Sequence, residues 1–241
     1  MMTTTNDLNK RGAGQETDPF AGVSRRALTY LPLYLLVPVG FWALMQSLGH
    51  GMDWKGFGLG ALGWLIALFL RGPLSALVRN LPEERAKTIV GASSGVFEES
   101  VRLLLIALTS AALPWAHSVG QGWAAVEVLF VMVNVVVIVS LLPRTDEKAM
   151  QAKEILLKQG NLQASPLWGI LERVWASSFH IGATLIVAYN PWTVILLIPL
   201  HSAFNLTAVK LGQKSLVGTS LFVAAVGLAL FGTGLWLAGA V

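Results

Sequence analysis

Cysteine is absent from the 241 residues. That removes a disulfide framework, a thiolate nucleophile and any Cys-ligated metal centre, and leaves the compartment open. Charge is scarce as well. Asp, Glu, Lys and Arg make up 12% of the chain, about half the share usual in soluble domains. So few charges cannot cover a water-exposed surface, whereas a lipid-facing one needs none. A glycine-rich phosphate loop, a His-Glu-x-x-His zinc helix and a Gly-x-Ser-x-Gly elbow are all missing. No long internal repeat is present. The first residues lack a short apolar core closed by a small-residue cleavage site. They are instead rich in Thr, Asn, Gly and charge up to Arg25-Arg26, so residues 1–26 are expected to form a disordered cytoplasmic tail.

What the chain does have is apolar length. Hydrophobic residues reach 54%, with 24 glycines for close helix packing in lipid and 9 tryptophans for interfacial anchoring. A hydrocarbon core about 30 Å thick takes about 20 apolar residues at about 1.5 Å each. Seven runs approach that length: Leu28–Leu48, Phe57–Val78, Ile89–Trp115, Trp123–Leu142, Leu167–Ala188, Trp192–Val209 and Leu216–Ala238. Arg71-Gly72-Pro73 interrupts the second, and Pro32 and Pro38 fall within the first.

The charges test this division independently. Fourteen of the 17 Lys and Arg fall in the tail and in the second, fourth and sixth loops. The first loop has Lys55 alone, and the last two, Arg102 and Arg173, lie inside apolar runs. Such alternation is the positive-inside pattern. It predicts an all-α, multi-pass membrane bundle over residues 27–241, with about seven transmembrane helices, the N-terminus inside and the C-terminus outside. The net charge of +4 therefore meets anionic headgroups rather than nucleic acid. The loop 143–165 contains an amphipathic stretch, Glu147 to Lys158, expected on the cytoplasmic surface. His117 falls in the third loop near the outer face.

Ionisable side chains at mid-membrane cost about 2.5–3.5 kcal/mol each on insertion scales, so they call for a reason. The third run holds Glu98-Glu99-Ser100-Val101-Arg102, whose spacings of three and four share a helix face. The fifth holds Glu172, Arg173, Ser177 and His180, the last three on one face, and the sixth aligns His201 with Asn205. Glu98 lies about 13 Å from the inner edge and His201 about 13 Å from the outer one. His180 lies about 20 Å from the inner edge, so one layer can collect all three. Each His alone is equally a satisfied interhelical hydrogen-bonder, and each Glu–Arg pair structural glue. Two readings thus stand beside a chemical site: a non-enzymatic scaffold packed by this cluster, and a proton-linked transporter. Glu98, His180 and His201 also make a two-His, one-carboxylate set able to hold Zn2+ with one open position.

Glu98-Glu99-x-x-Arg102, Glu172-Arg173 leading to Phe179-His180-Ile181-Gly182, and His201-x-x-x-Asn205 resemble the YhfC-type family of bacterial membrane proteins. That family is similar to the CPBP group of type II CAAX prenyl endopeptidases and to PrsW-type proteases. The likeness runs from the first span to the seventh. Gly120-Gln121-Gly122 followed by Glu127 is similar to a Gly-His-Gly…Glu stretch of that family, with Gln121 in place of His. Against the CAAX group, Arg102 stands one residue closer to the paired glutamates, and Ala176 takes the place of a Phe four before His180. The resemblance implies an intramembrane protease of the cell inner (plasma) membrane acting on a membrane-embedded or lipidated peptide substrate. It implies Glu98 as general base assisted by His180, Glu99 positioning water or pairing with Arg102, and His201 with Asn205 stabilising the oxyanion. No cofactor is expected for that glutamic chemistry; zinc is its alternative.

Overall fold

The computed structural model describes residues 19–160 and 162–240. Every regular element among them is helical: α1 (Val23–Tyr30), α2 (Leu36–Ser47), α3 (Trp54–Val78), α4 (Glu83–Leu108), α5 (Leu113–Leu141), α6 (Glu147–Gln159), α7 (Leu167–Tyr189), α8 (Val194–Gly212) and α9 (Leu216–Leu237). Short 3-10 turns join α1 to α2, around Pro32, and lead into α8 from Pro191. Of the tail expected over residues 1–26, residues 1–18 lie outside the described part. Its end is helical rather than disordered, because α1 starts at Val23 and Arg26 hydrogen-bonds to Gln163 in the loop before α7.

Among the described residues, five helical stretches are long and apolar enough to cross a membrane: Val23–Ser47, Trp54–Val78, Leu113–Leu141, Pro191–Gly212 and Leu216–Leu237. This is a membrane protein by composition and length. The helices α4 and α7 have comparable length but carry Glu98, Glu99 and Arg102, and Glu172 and Arg173, which lower their apolar character. Between residues 143 and 165 the amphipathic α6 forms as its pattern predicts. Asp146 caps it by accepting from Ala149 N at 3.4 Å. A hydrogen bond from Arg144 holds the Asp146 carboxyl below its usual range, so the cap is ionised at neutral pH.

Six helices close a ring, each packed on the next: α3, α4, α8, α9, α7 and α5, which returns to α3. Within that ring α4 meets α7, and α2 lies outside against α5 and α7. Glycine sets the close approaches. Gly60 of α3 faces the Val119 backbone of α5, and Gly122 of α5 faces the Phe57 backbone of α3. Gly120, two residues earlier, meets Ile181 and Thr184 of α7 on the other side. The Gly120-Gln121-Gly122 stretch is therefore what lets α5 be squeezed between two neighbours. A Cβ at Gly60 would stand within 2.9 Å of Val119 Cα. Gly60→Val is expected to destabilise the protein by about 1–3 kcal/mol, read as a lowered thermal unfolding midpoint in detergent.

The second run keeps its expected end: α3 continues through Pro73 to Val78, and Arg71, counted with the second loop, lies within it. One boundary differs. The third run breaks at Thr109 to Ala112, and Leu113-Pro114 starts α5. His117 is consequently a fully buried helix residue, not a loop one. Its Nε2 lies 3.0 Å from Gly51 O and its Nδ1 3.2 Å from the Gln121 amide.

Candidate functional site

The helix α4 supplies the centre of the site because its apolar stripe is interrupted on one face by Glu98, Glu99 and Arg102, all buried. Arg102 and Glu99 have no exposed surface. The Arg102 guanidinium forks onto Glu99, Nε to Oε2 at 2.9 Å and Nη2 to Oε1 at 3.3 Å. The same guanidinium crosses to α7, donating from Nη1 to His180 O at 3.0 Å and to the Thr184 hydroxyl, and it lies 4.5 Å above the Trp123 ring of α5. One side chain thus ties three helices together.

Proton positions at the two imidazoles follow from their partners. Arg102 Nη2 lies 3.1 Å from His180 Nδ1. A guanidinium can only donate, so Nδ1 accepts and the ring proton sits on Nε2. That nitrogen is 2.6 Å from Glu127 Oε2 of α5. Both ring nitrogens of His180 are therefore engaged. His201 of α8 is arranged the other way round. Its Nδ1 lies 2.7 Å from Glu99 Oε1, a carboxylate that can only accept, so the proton is on Nδ1. The Nε2 lone pair then faces Glu98 Oε2 at 3.9 Å. The result is a carboxylate–imidazole dyad, Glu99–His201, with its free nitrogen in the chamber.

Glu98 occupies the middle. It pairs with Arg71 of α3, accepts from Trp123 Nε1 at 3.3 Å, and has His180 Nδ1 at 4.0 Å. Phe179 closes the wall behind, stacked on Phe204 at 4.7 Å and tilted against His201 at 4.7 Å. A cavity of about 210 Å3 is lined by Glu98, Glu127, His180, His201 and Asn205, with Asn134 and apolar residues of α3 and α5 opposite. It can accept several waters.

Of the residues singled out by sequence, Glu98, Glu99, Arg102, His180 and His201 converge. Asn205 lines the same cavity; one N–H of its amide donates to Ser94 Oγ at 2.7 Å, which leaves the second N–H of that amide. Arg173 and His180, aligned on one face as their spacing predicts, both reach Glu127. Two participants were not among the expected site residues. Arg71 reads as a loop cation because Arg-Gly-Pro resembles a helix stop. Glu127 had a readable signal, a lone carboxylate in an otherwise apolar run.

Each buried carboxylate has a guanidinium: Glu98–Arg71, Glu99–Arg102 and Glu127–Arg173, with Arg173 also holding Glu172. Such pairing is how a low-dielectric interior tolerates them. The zinc set fares less well. One donor atom from each of Glu98, His180 and His201 lies within 4.8 Å of the others. The His180 nitrogen nearest Glu98 is already an acceptor for Arg102, however, and a divalent cation there would face that guanidinium at van der Waals range. Those three residues could hold a metal ion only with the Arg102 contact to His180 Nδ1 released. No family model, curated protein or solved structure matches the chain.

Proposed function

We propose that this chain is an intramembrane peptidase of the glutamic type, acting on membrane-embedded or lipidated peptides, and akin to the YhfC-type and CPBP groups. The observation that carries it is the 3.9 Å gap between Glu98 Oε2 and the lone pair of His201 Nε2. A water seated between a carboxylate and an imidazole at that spacing reaches both at hydrogen-bond distance. Glu98 takes one proton of the water as it attacks the scissile carbonyl. The His201 Nε2 lone pair accepts that proton from Glu98 and hands it to the leaving amine, which restores the Glu98 carboxylate and the neutral imidazole, while Glu99 with Arg102 fixes the His201 tautomer. In this reading His180 is a strut, held between Arg102 and Glu127. Asn205 keeps one amide N–H for an oxyanion while the other stays on Ser94.

The same reading has seven spans. The lengths of α4 and α7, 26 and 23 residues, suffice to cross, and Glu98, Glu99 and Arg102 of α4 are buried in the interior, with Glu172 and Arg173 close to the start of α7. The basic loops support an N-terminus in the cytoplasm and a C-terminus outside, and the likeness to the YhfC-type group supports the cell inner membrane as its place.

The deciding experiment is cleavage of a lipidated model peptide in proteoliposomes by wild type and Glu98→Gln, with metal content measured on the same samples. Loss of cleavage in metal-free, folded protein is the expected outcome. Cleavage at the wild-type rate by Glu98→Gln, or activity that tracks bound zinc, refutes it. Glu99→Gln offers a second check. An amide cannot hold the His201 tautomer, so kcat is expected to fall by about 10³-fold or more with KM little changed.

A further inference from the structure

The chamber adjoins a second, larger cavity of about 530 Å3 between α4, α7, α8 and α9. Arg71 and Asn205 line both, so they stand at the junction. The larger space is lined by Ala208, Val209 and Leu216 together with Ser94, Thr219 and, at the α8–α9 turn, Gln213. Its size falls within that of small-ligand sites. Lys210 and Lys214 lie at the same end of the bundle, which the basic loops assign to the cytoplasm.

Arg71 is incompletely used. Among the described residues only its Nη2 has an acceptor, Glu98. Its Nε is buried with no partner at all. A buried donor left unmade is costly, and a guanidinium edge is shaped for the two oxygens of a carboxylate or phosphate. The one carboxylate on the vestibule wall, Glu172, is taken by Arg173 at 2.8 Å.

We infer that this vestibule is a binding site for the single anionic group, carboxylate or phosphate monoester, of an amphiphile from the cytoplasmic leaflet, with Arg71 as its anchor. The apolar walls take the chain, and Arg71 exchanges Glu98 for the incoming oxygens. That exchange frees Glu98, so the guanidinium acts as a latch between occupancy and the chamber. The binding stands by itself; calling the occupant a substrate rests on the peptidase reading.

The test uses the full chain in phosphatidylcholine nanodiscs, titrated calorimetrically with laurate, dodecyl phosphate, dodecanol and dodecyltrimethylammonium. The anionic amphiphiles are expected to bind saturably, one per chain, and the neutral and cationic ones not. Arg71→Gln should weaken binding by about 30-fold, with Arg71→Lys in between. Glu98→Gln removes the internal competitor and should tighten it, the opposite of its effect on cleavage. Preference for laurate assigns the site to carboxylate-bearing chains, and preference for dodecyl phosphate to a lipid headgroup. Dodecanol binding as tightly as laurate to wild type overturns the proposal whether or not the variants fold, as does unchanged binding by folded Arg71→Gln. Neither result depends on turnover, so failure here and failure of the peptidase reading are separable.

Discussion

Glu98→Gln is expected to cut peptide turnover by about 10²- to 10⁴-fold, the range for a lost general base. The substitution keeps shape and volume. Its carbonyl oxygen can still accept from Trp123 Nε1, which now lies 3.3 Å from the carboxylate. Arg71 loses its only acceptor among the described residues, but it also borders the larger cavity, where water can take the place of the carboxylate. The stability cost is therefore smaller than for a sealed pair. The measurement is a single-turnover cleavage rate set beside a thermal melt of the same preparation. A large fall in melting temperature with a proportional fall in rate would mark Glu98 as packing, and would favour the scaffold reading.

Arg102→Met is expected to behave in the opposite sense, costing about 3–5 kcal/mol of stability whatever the chemistry. Methionine fills similar space but leaves the Glu99 charge facing His201 alone, and removes the donors to His180 O and Thr184. Arg102 has no exposed surface, so water does not readily take its place. Arg102→Lys should not rescue, because one ammonium cannot fork onto Glu99 and also reach α7. Unfolding midpoints in a mild detergent check both variants. A wild-type midpoint for Arg102→Met would mean that the helices are held without this tie.

The polar layer was legible from sequence because ionisable residues inside apolar runs have few explanations, and the three- and four-residue spacings fix which of them share a face. Partners across helices were not legible. Spacing aligned Arg173 with His180, but only the packing of α5 on α7 shows that both converge on Glu127. Arg71 was hidden by Pro73, whose missing donor falls close enough to the end of α3 for the helix to continue. His117 was misplaced because an apolar run through Trp115 conceals a turn. Pro114 at the first helical positions of α5 is the signal that separates the two helices. Hydropathy reads total apolar length well and helix ends poorly.

The pairing of the cluster has a consequence for biogenesis. On the seven-span reading, α4 enters the bilayer with three ionisable residues, and α7 with Glu172 and Arg173 near one end. Each charge is penalised by about 2.5–3.5 kcal/mol if it partitions alone. The counter-ion of Glu98 arrives one helix earlier, on α3, while Glu127 on α5 waits for Arg173 two helices later. The translocon must therefore release α3 with α4 as a unit and retain α5 until α7 emerges. A nascent chain arrested after α6 would hold an orphaned carboxylate in the bilayer and become a substrate for quality-control degradation.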